Sequence, residues 1–294
     1  MTKSEAKRII MDFEDKNVHS EEEEFLYLEA LDYIIAVDQD PRVMMHLGGY
    51  YYELRKFDLA LKYYQMASDL DYDDADECLG YVWYYGRTGT KDYAKAFYYF
   101  ERAAKRGNIV AEYKLADMYK NGYHVERDYE KYKEIIRGLY PKVKNAWNLG
   151  KPLPEIFTRL AHIEVEEGNV DEALDLYLKA RDFLAQRIKY NPFFGNLNIM
   201  KWLTEDLYKI IDPDPDDMFF YDLYYYLTRP CEITFTCKNK DYRIKCVEEN
   251  GECVIQFGDK WYRNVDDFMK KAKIGNNLLT DIYDRLSDIT LMEN

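Results

Sequence analysis

Five cysteines, four histidines and several short aspartate runs are the side chains of this 294-residue chain best suited to chemistry. Cys231, Cys237, Cys246 and Cys253 fall in its last quarter. Zinc sites built of thiolates present C-x-x-C pairs, because two sulfurs on one tight turn reach the same metal. Here the intervals are 6, 9 and 7 residues, and each cysteine shares a strand-like face with Ile, Phe or Tyr. They read as small core residues, so neither zinc nor a disulfide is expected. Asp212, Asp214 and Asp216 copy the opening of a calcium loop. That loop also needs glycine at its sixth position and glutamate at its twelfth, where this chain has Asp217 and Leu223. Asp69, Asp71 and Asp73 fail in the same way, with Gly80 in the twelfth place. Both runs read as helix ends and turns.

Gly86-Arg87-Thr88-Gly89-Thr90-Lys91 has two residues between its glycines and lies between helical segments. A phosphate-binding P-loop has four residues there and follows a strand. His19, His46, His124 and His162 lack a metal-pair spacing, and no serine or cysteine sits in a nucleophile-elbow context. The expectation is a protein with no catalytic residues, no metal and no cofactor.

The elements that would carry a binding surface are plainer. Leu47-Gly48-x-x-Tyr51 is followed by Ala60, Tyr64 and Ala67; Leu79-Gly80-x-x-Trp83 by Ala96, Phe100 and Ala103. A weaker copy runs Leu115-Ala116-x-x-Tyr119, then Tyr132 and Leu139, with Gly122 at the place of Gly86 and Asp128 at that of Asp92. One such helix pair cannot bury its apolar face alone, so successive pairs must stack. The 13-residue step from Leu47 to Ala60 returns from Leu160-Ala161, across the Gly168-Asn169 turn, to Ala173, Tyr177 and Ala180, and the second helix there is expected to run to about Tyr190. Pro141, Pro152 and Pro154 around Trp147 predict a break between these stretches. Two further helices are expected over 196–211 and 216–227.

Before the repeats, residues 4–14 predict a short helix. Ser20 then reads as an N-cap, with Glu21–Glu24 filling the first turn of the next helix, where negative charge meets the helix dipole. After Arg229-Pro230 the apolar period becomes alternating: Cys231, Ile233, Phe235 and Cys237; Tyr242, Ile244 and Cys246; Cys253, Ile255 and Phe257. These predict an antiparallel meander, with a short fourth strand at Lys260–Tyr262. Asn264 then caps a helix over 265–273, and a last amphipathic helix carries Leu278, Leu279, Ile282, Leu286 and Ile289.

The pattern of residues 41–140, with a weaker unit at 155–190, resembles the tetratricopeptide repeat. The set Ala75, Leu79-Gly80, Gly86, Asp92, Ala96, Ala103-Ala104 and Gly107 resembles its longer-looped relative, the Sel-one-like repeat. The fold expected is therefore mostly α. It comprises N-terminal acidic helices (1–40), an α-solenoid of helix pairs (41–230) and a small α+β module (231–294) with a three- to four-stranded antiparallel sheet and two helices.

The resemblance implies that the first helix of each pair lines the concave side. That places Met45, Gly49 and Tyr52 there from the first repeat, and Glu77, Tyr81, Tyr84 and Tyr85 from the second. Tyr113, Asp117 and Lys120 follow from the third, then His162 and Glu166 from the later unit. The family's peptide clamp uses Lys and Asn at such positions to grip a terminal carboxylate. A tyrosine-lined groove suits an apolar or aromatic-bearing segment instead, with basic ends facing an acidic rim.

The chain carries 55 Asp and Glu against 41 Lys and Arg, a net charge of -14. Residues 1–40 alone hold 12 acidic against four basic side chains. Direct binding to nucleic acid needs clustered cations and is not expected. No run of apolar residues is long enough to span a membrane, and residues 1–17 carry mixed charge with no secretory leader. The cysteines are expected to be free thiols in a reducing cytoplasm. The leading expectation is a cytoplasmic interaction scaffold. The alternatives are an acidic mimic that blocks a nucleic-acid-binding protein, and a ligand sensor or enzyme centred on residues 231–294.

Overall fold

The computed structural model describes residues 1–16, 19–145, 153–190, 194–212, 214, 218–249 and 251–293. They fall into two compact units, Met1–Ile135 and Ile136–Asn294. In the first, α1 (Lys3–Glu14) and α2 (Glu21–Asp38) precede α3 (Pro41–Glu53), α4 (Phe57–Asp69), α5 (Ala75–Tyr85), α6 (Tyr93–Lys105) and α7 (Ile109–Asn121). The first turns of α8 (Tyr129–Val143) also belong to it. The predicted N-cap at Ser20 is present, and it forms a capping box: its hydroxyl accepts the Glu23 amide, and the Glu23 carboxylate accepts the Ser20 amide at 2.9 Å. Helix α2 buries Tyr27, Leu31 and Ile35 in one cluster with Met44 and Leu47 of α3.

Small residues decide how closely the helices of a pair approach. Gly48 of α3 lies under the ring of Tyr64 of α4, where an added Cβ would come within 2.5 Å of the ring. Phe100 of α6 occupies the same place over Gly80 of α5. Both rings are buried, so each fills the volume that a side chain on the facing helix would take.

The loops repeat too. Gly86 and Gly122 end α5 and α7 in the left-handed conformation, at φ 61° and 69°, where a Cβ is penalised. Six residues on, the Asp92 amide donates to the Trp83 carbonyl at 3.1 Å, and the Asp128 amide to that of Tyr119 at 2.9 Å. Each aspartate then accepts a first-turn amide, from Lys95 at 3.0 Å and from Lys131 at 2.8 Å.

The acidic stretch after α4 is read by two arginines. Asp76 is fully buried; it accepts the Ser68 hydroxyl at 2.6 Å and an Arg106 guanidinium nitrogen, and it forms an ion pair with the Arg102 Nε at 3.1 Å. Asp71 and Asp73 meet the same guanidiniums from the surface. A buried carboxylate needs such partners, and this one ties α5 to α4 and α6.

The second unit holds α9 (Pro154–Glu166), α10 (Val170–Tyr190), α11 (Phe194–Leu207) and α12 (Leu223–Tyr226, after a 3-10 turn at Phe220–Asp222), then a sheet module. The module contains β1 (Cys231–Cys237), β2 (Lys240–Glu249), β3 (Glu252–Phe257), β4 (Lys260–Tyr262), α13 (Val265–Lys271), a two-residue hairpin of β5 (Lys273–Ile274) with β6 (Asn277–Leu278), and β7 (Leu286–Glu293). The main sheet is antiparallel throughout, in the order β4-β3-β2-β1-β7. One face buries Cys231, Ile233, Phe235, Ile244, Cys246, Ile255 and Phe257. Ion pairs Lys189–Asp284 (2.5 Å) and Lys201–Asp266 (3.2 Å) join α10 and α11 to the module.

Three expectations change. The predicted last helix is replaced by 3-10 turns at Leu279–Asp281 and Tyr283–Arg285 and by β7, so among the described residues the main sheet has five strands and the module one α-helix. Strand β1 has an edge whose backbone groups need partners, and the β-branched Ile289 and Thr290 suit pairing with it better than a helix. Asp288, at φ 51°, sits where the β1–β7 register shifts between Thr234 and Thr236. Helix α8 runs through Pro141 to Val143, so a break cannot begin at Pro141; Trp147 and Pro152 lie outside the described residues. Of the predicted helix at 216–227, only the 3-10 turn and α12 form, and residues 215–217 lie outside the described residues.

The neighbouring glycines of α3 give a paired expectation. Gly48→Ala drives a methyl into the buried Tyr64 ring, and overpacking of this kind costs about 1–3 kcal/mol. Gly49, where an added Cβ meets nothing within 4 Å, gains helix propensity, so Gly49→Ala stabilises by about 0.5–1 kcal/mol. Chemical denaturation of the two variants reads the opposite signs.

Candidate functional site

The positions assigned to a binding face lie on three helices of the first unit and one of the second. On α3, Met45, Gly49 and Tyr52 are half-buried. The Tyr52 hydroxyl accepts the Arg87 Nε at 2.9 Å. Burial raises the Tyr52 pKa, and the adjoining guanidinium offsets this only in part. Arg87 is itself held among rings, its guanidinium carbon 5.7 Å from the Tyr52 centroid, 5.6 Å from Phe57 and 4.9 Å from Tyr85. On α5, the Glu77 carboxylate accepts the Asn108 side-chain amide at 2.8 Å. Asn108 is the N-cap of α7, so Glu77 fastens the start of one first helix to the next.

Tyr81, Tyr84, Tyr85, Tyr113 and Asp117 converge on a residue the sequence reading did not single out, Lys114. It is only 5% exposed. Its Nζ donates to the Tyr85 hydroxyl at 3.0 Å and lies 3.8 Å from the Asp117 carboxylate. The ring centroids of Tyr81, Tyr84, Tyr85 and Tyr113 are 5.1 to 5.3 Å from the same nitrogen. A buried ammonium requires counter-charge and hydrogen bonds, and the faces of aromatic rings supply further attraction. Tyr81 and Tyr113 join hydroxyl to hydroxyl at 2.9 Å, and Tyr81 stacks on Tyr85 with centroids 5.8 Å apart. Burial, with Asp117 adding to it, raises the Tyr84 pKa, so its hydroxyl stays protonated.

Much of this tyrosine track therefore makes contacts within the fold. Tyr113 (3% exposed) and Asp117 are buried, Tyr81 and Tyr84 are half-buried, and Tyr85 is 40% exposed. One signal for Lys114 was available in sequence: Lys114 and Asp117 have the i, i+3 spacing of an ion pair within a helix that must bury one face. Its four rings come from two helices, a juxtaposition that spacing alone does not reveal. Lys120, half-buried on α7, places its ammonium 4.9 Å from the Tyr132 ring and 5.9 Å from that of Tyr129.

His162 and Glu166 lie on α9 of the second unit. A His162 ring nitrogen meets the Asp206 carboxylate at 2.7 Å, and the ring packs edge-on against Tyr177. Burial pushes the Asp206 pKa up, but hydrogen bonds from His162 and Lys209 prevail and hold it below the usual value. Glu166 is exposed.

The thiols show core chemistry. Cys231 and Cys246 face each other across β1 and β2, and all five cysteines are free. Contact with the Cys231 thiol, followed by burial, raises the Cys246 pKa. Burial carries Cys253 up to about 11. Among the described residues no group of three or more His, Cys, Asp or Glu could hold a metal ion, and no helix is long and apolar enough to cross a membrane.

Lys114→Met tests the cage, since methionine fills a similar volume without the charge. Asp117 would then remain buried beside a thioether, and we expect a loss of about 2–4 kcal/mol, in the range for breaking a buried ion pair and its ring contacts. Equal stability of the variant in urea denaturation would show that hydrocarbon packing, not charge, holds these rings together.

Comparison with known proteins agrees with the repeat pattern. The family described as Sel1 repeat matches residues 41–72, 79–108 and 109–131. Among solved structures, the chain is similar to a Sel1 repeat protein from Oxalobacter formigenes, at 19% identity and a TM-score of 0.49, covering 76% of this chain and 83% of that one. It is also similar to a protective antigen of uropathogenic Escherichia coli displaying an SLR fold, at 16% identity and a TM-score of 0.40, covering 73% and 57%. No curated protein matches the chain. The Gly86 and Gly122 caps, the equivalent Asp92 and Asp128 turns and the family match all fall in one stretch: residues 41–131 carry Sel1 repeats.

Proposed function

We propose that this protein is a cytoplasmic scaffold that holds a segment of a partner protein against the tyrosine-rich face of its repeats. Sel1 repeats are in general protein–protein interaction scaffolds. The observation that carries the finer reading is the order imposed on that face. Tyr85 remains 40% exposed while its ring stacks on Tyr81, its hydroxyl accepts Lys114 and Arg87 packs beside it. A ring immobilised before binding loses little further entropy on contact. Its amphipathic surface suits an apolar or aromatic-bearing segment.

Met45, Tyr52, Glu77, Tyr81, Tyr84 and Lys120 extend this surface along α3, α5 and α7. A net charge of -14 favours partners with basic flanks through long-range attraction. We assign the scaffold no catalytic role and no direct contact with nucleic acid.

Partner capture by the full chain in its native host, followed by affinity measurement, tests the assignment. Tyr85→Ala removes the exposed ring and is expected to weaken partner binding at least about tenfold, the scale of an interface hot spot. Tyr85→Phe keeps the ring face and is expected to stay within about threefold. If Tyr85→Ala folds and every captured partner binds it as tightly as the parent chain, the face is wrongly assigned.

A further inference from the structure

Beside the tyrosine face, the turn from α3 to α4 and the loop after α5 enclose a cleft of about 450 Å³. Arg55, Lys56 and Arg87 line it against a single carboxylate, Asp58. Cations therefore outnumber carboxylates in this lining, in a chain whose acidic side chains outnumber its basic ones by 55 to 41. Among the described residues, no carboxylate lies within ion-pairing distance of Lys56 or Arg87, although Arg87 is half-buried.

Arg87 is already oriented. Its Nε is engaged by the Tyr52 hydroxyl and its plane is packed among the Tyr52, Phe57 and Tyr85 rings. The guanidinium therefore keeps its terminal nitrogens for an acceptor, in a geometry that needs no further ordering. Thr88 adds a hydroxyl to the lining, and Gly89 leaves the approach open, since an added Cβ there would meet nothing within 4 Å.

We propose that this cleft binds the phosphate group of a small phosphorylated molecule. A phosphomonoester carries about -1.5 to -2 charges at neutral pH and three acceptor oxygens, so it gains more from a basic lining than a carboxylate, which carries one charge and two such oxygens. Its oxygens accept from the Arg87 terminal nitrogens and from Thr88, with Arg55 and Lys56 supplying charge at the rim. The volume lies within the range of about 300–1,000 Å³ typical of small-molecule sites. A bare phosphate would leave the Phe57 and Leu59 part of the lining uncovered, so the organic part of the ligand has an apolar wall to lie against. The site adjoins the tyrosine face through the contacts of Arg87 with Tyr52 and Tyr85, but its ligand does not require a partner protein.

The experiment titrates the full chain with inorganic phosphate and with phenyl phosphate at constant ionic strength, reading backbone amide shifts by NMR. Saturable shifts are expected at Asp58, Thr88 and Gly89, with phenyl phosphate binding at least threefold more tightly than phosphate. Arg87→Gln is expected to weaken both at least tenfold. Because that variant also loses ring packing, Arg55→Asn combined with Lys56→Gln, at two exposed positions, provides the second reading and the same tenfold loss. Shifts that do not saturate, that acetate reproduces at equal concentration, or that persist in the double variant would overturn the proposal. Phenyl phosphate binding no tighter than phosphate would overturn its small-molecule part.

Discussion

The first unit depends on how closely two helix backbones come together. At Gly48 and Gly80 a ring from the partner helix stands where a Cβ would be. Dispersion is short-ranged, so a separation larger by one methyl would forfeit much of the contact along the pair. Tyr64 and Phe100 are thereby buried, and with them the small residues Ala60, Ala67, Ala96 and Ala103 on the second helices. After α5 and α7 a left-handed glycine and an aspartate cap set where the second helix begins, whereas in the shorter turn between α3 and α4 Arg55 takes the left-handed conformation and Lys56 precedes α4 without a side-chain cap.

Onto this apolar frame the chain adds two buried charges, one neutralised from a neighbouring helix and one from within its own. Asp76 holds Arg102 and Arg106, and Lys114 sits among four tyrosines and Asp117. Buried ionic groups are weak contributors to net stability, because desolvation offsets much of the attraction. Their geometric demands are strict, however, and they favour one arrangement of α4 to α7 over its near neighbours. The tyrosine face inherits that order. Its rings are placed by contacts underneath them, which leaves the outward surface of Tyr85 to meet something else.

The repeats were legible because they depend on residue size at a fixed interval. Gly, Ala and aromatic side chains in register identify helix pairs without any knowledge of what surrounds them. The cysteine faces were legible for a similar reason, since alternation with Ile and Phe marks one side of a strand. The final strand was not legible: Leu278, Leu279, Ile282, Leu286 and Ile289 satisfy a helical period, and only the open edge of β1, far away in sequence, selects the extended form. Lys114 was missed because a lysine in an amphipathic helix ordinarily faces water. The basic cleft escaped notice because Arg55, Lys56 and Arg87 belong to two loops that stacking alone brings together.

The pairing of β1 with β7 carries a kinetic corollary. Thr234 and Thr290 touch through their hydroxyls across 56 residues of sequence, whereas the β1–β2, β2–β3 and β3–β4 contacts close within short hairpins. Long-range pairing is slow because loop closure precedes any compensating contact. During folding, the meander is therefore expected to form first and to wait with the β1 flank bare. Until Leu286–Glu293 arrives, that flank is a template on which another unfinished copy could dock, and the yield of native protein is then set by a race between intramolecular closure and encounter with a second molecule.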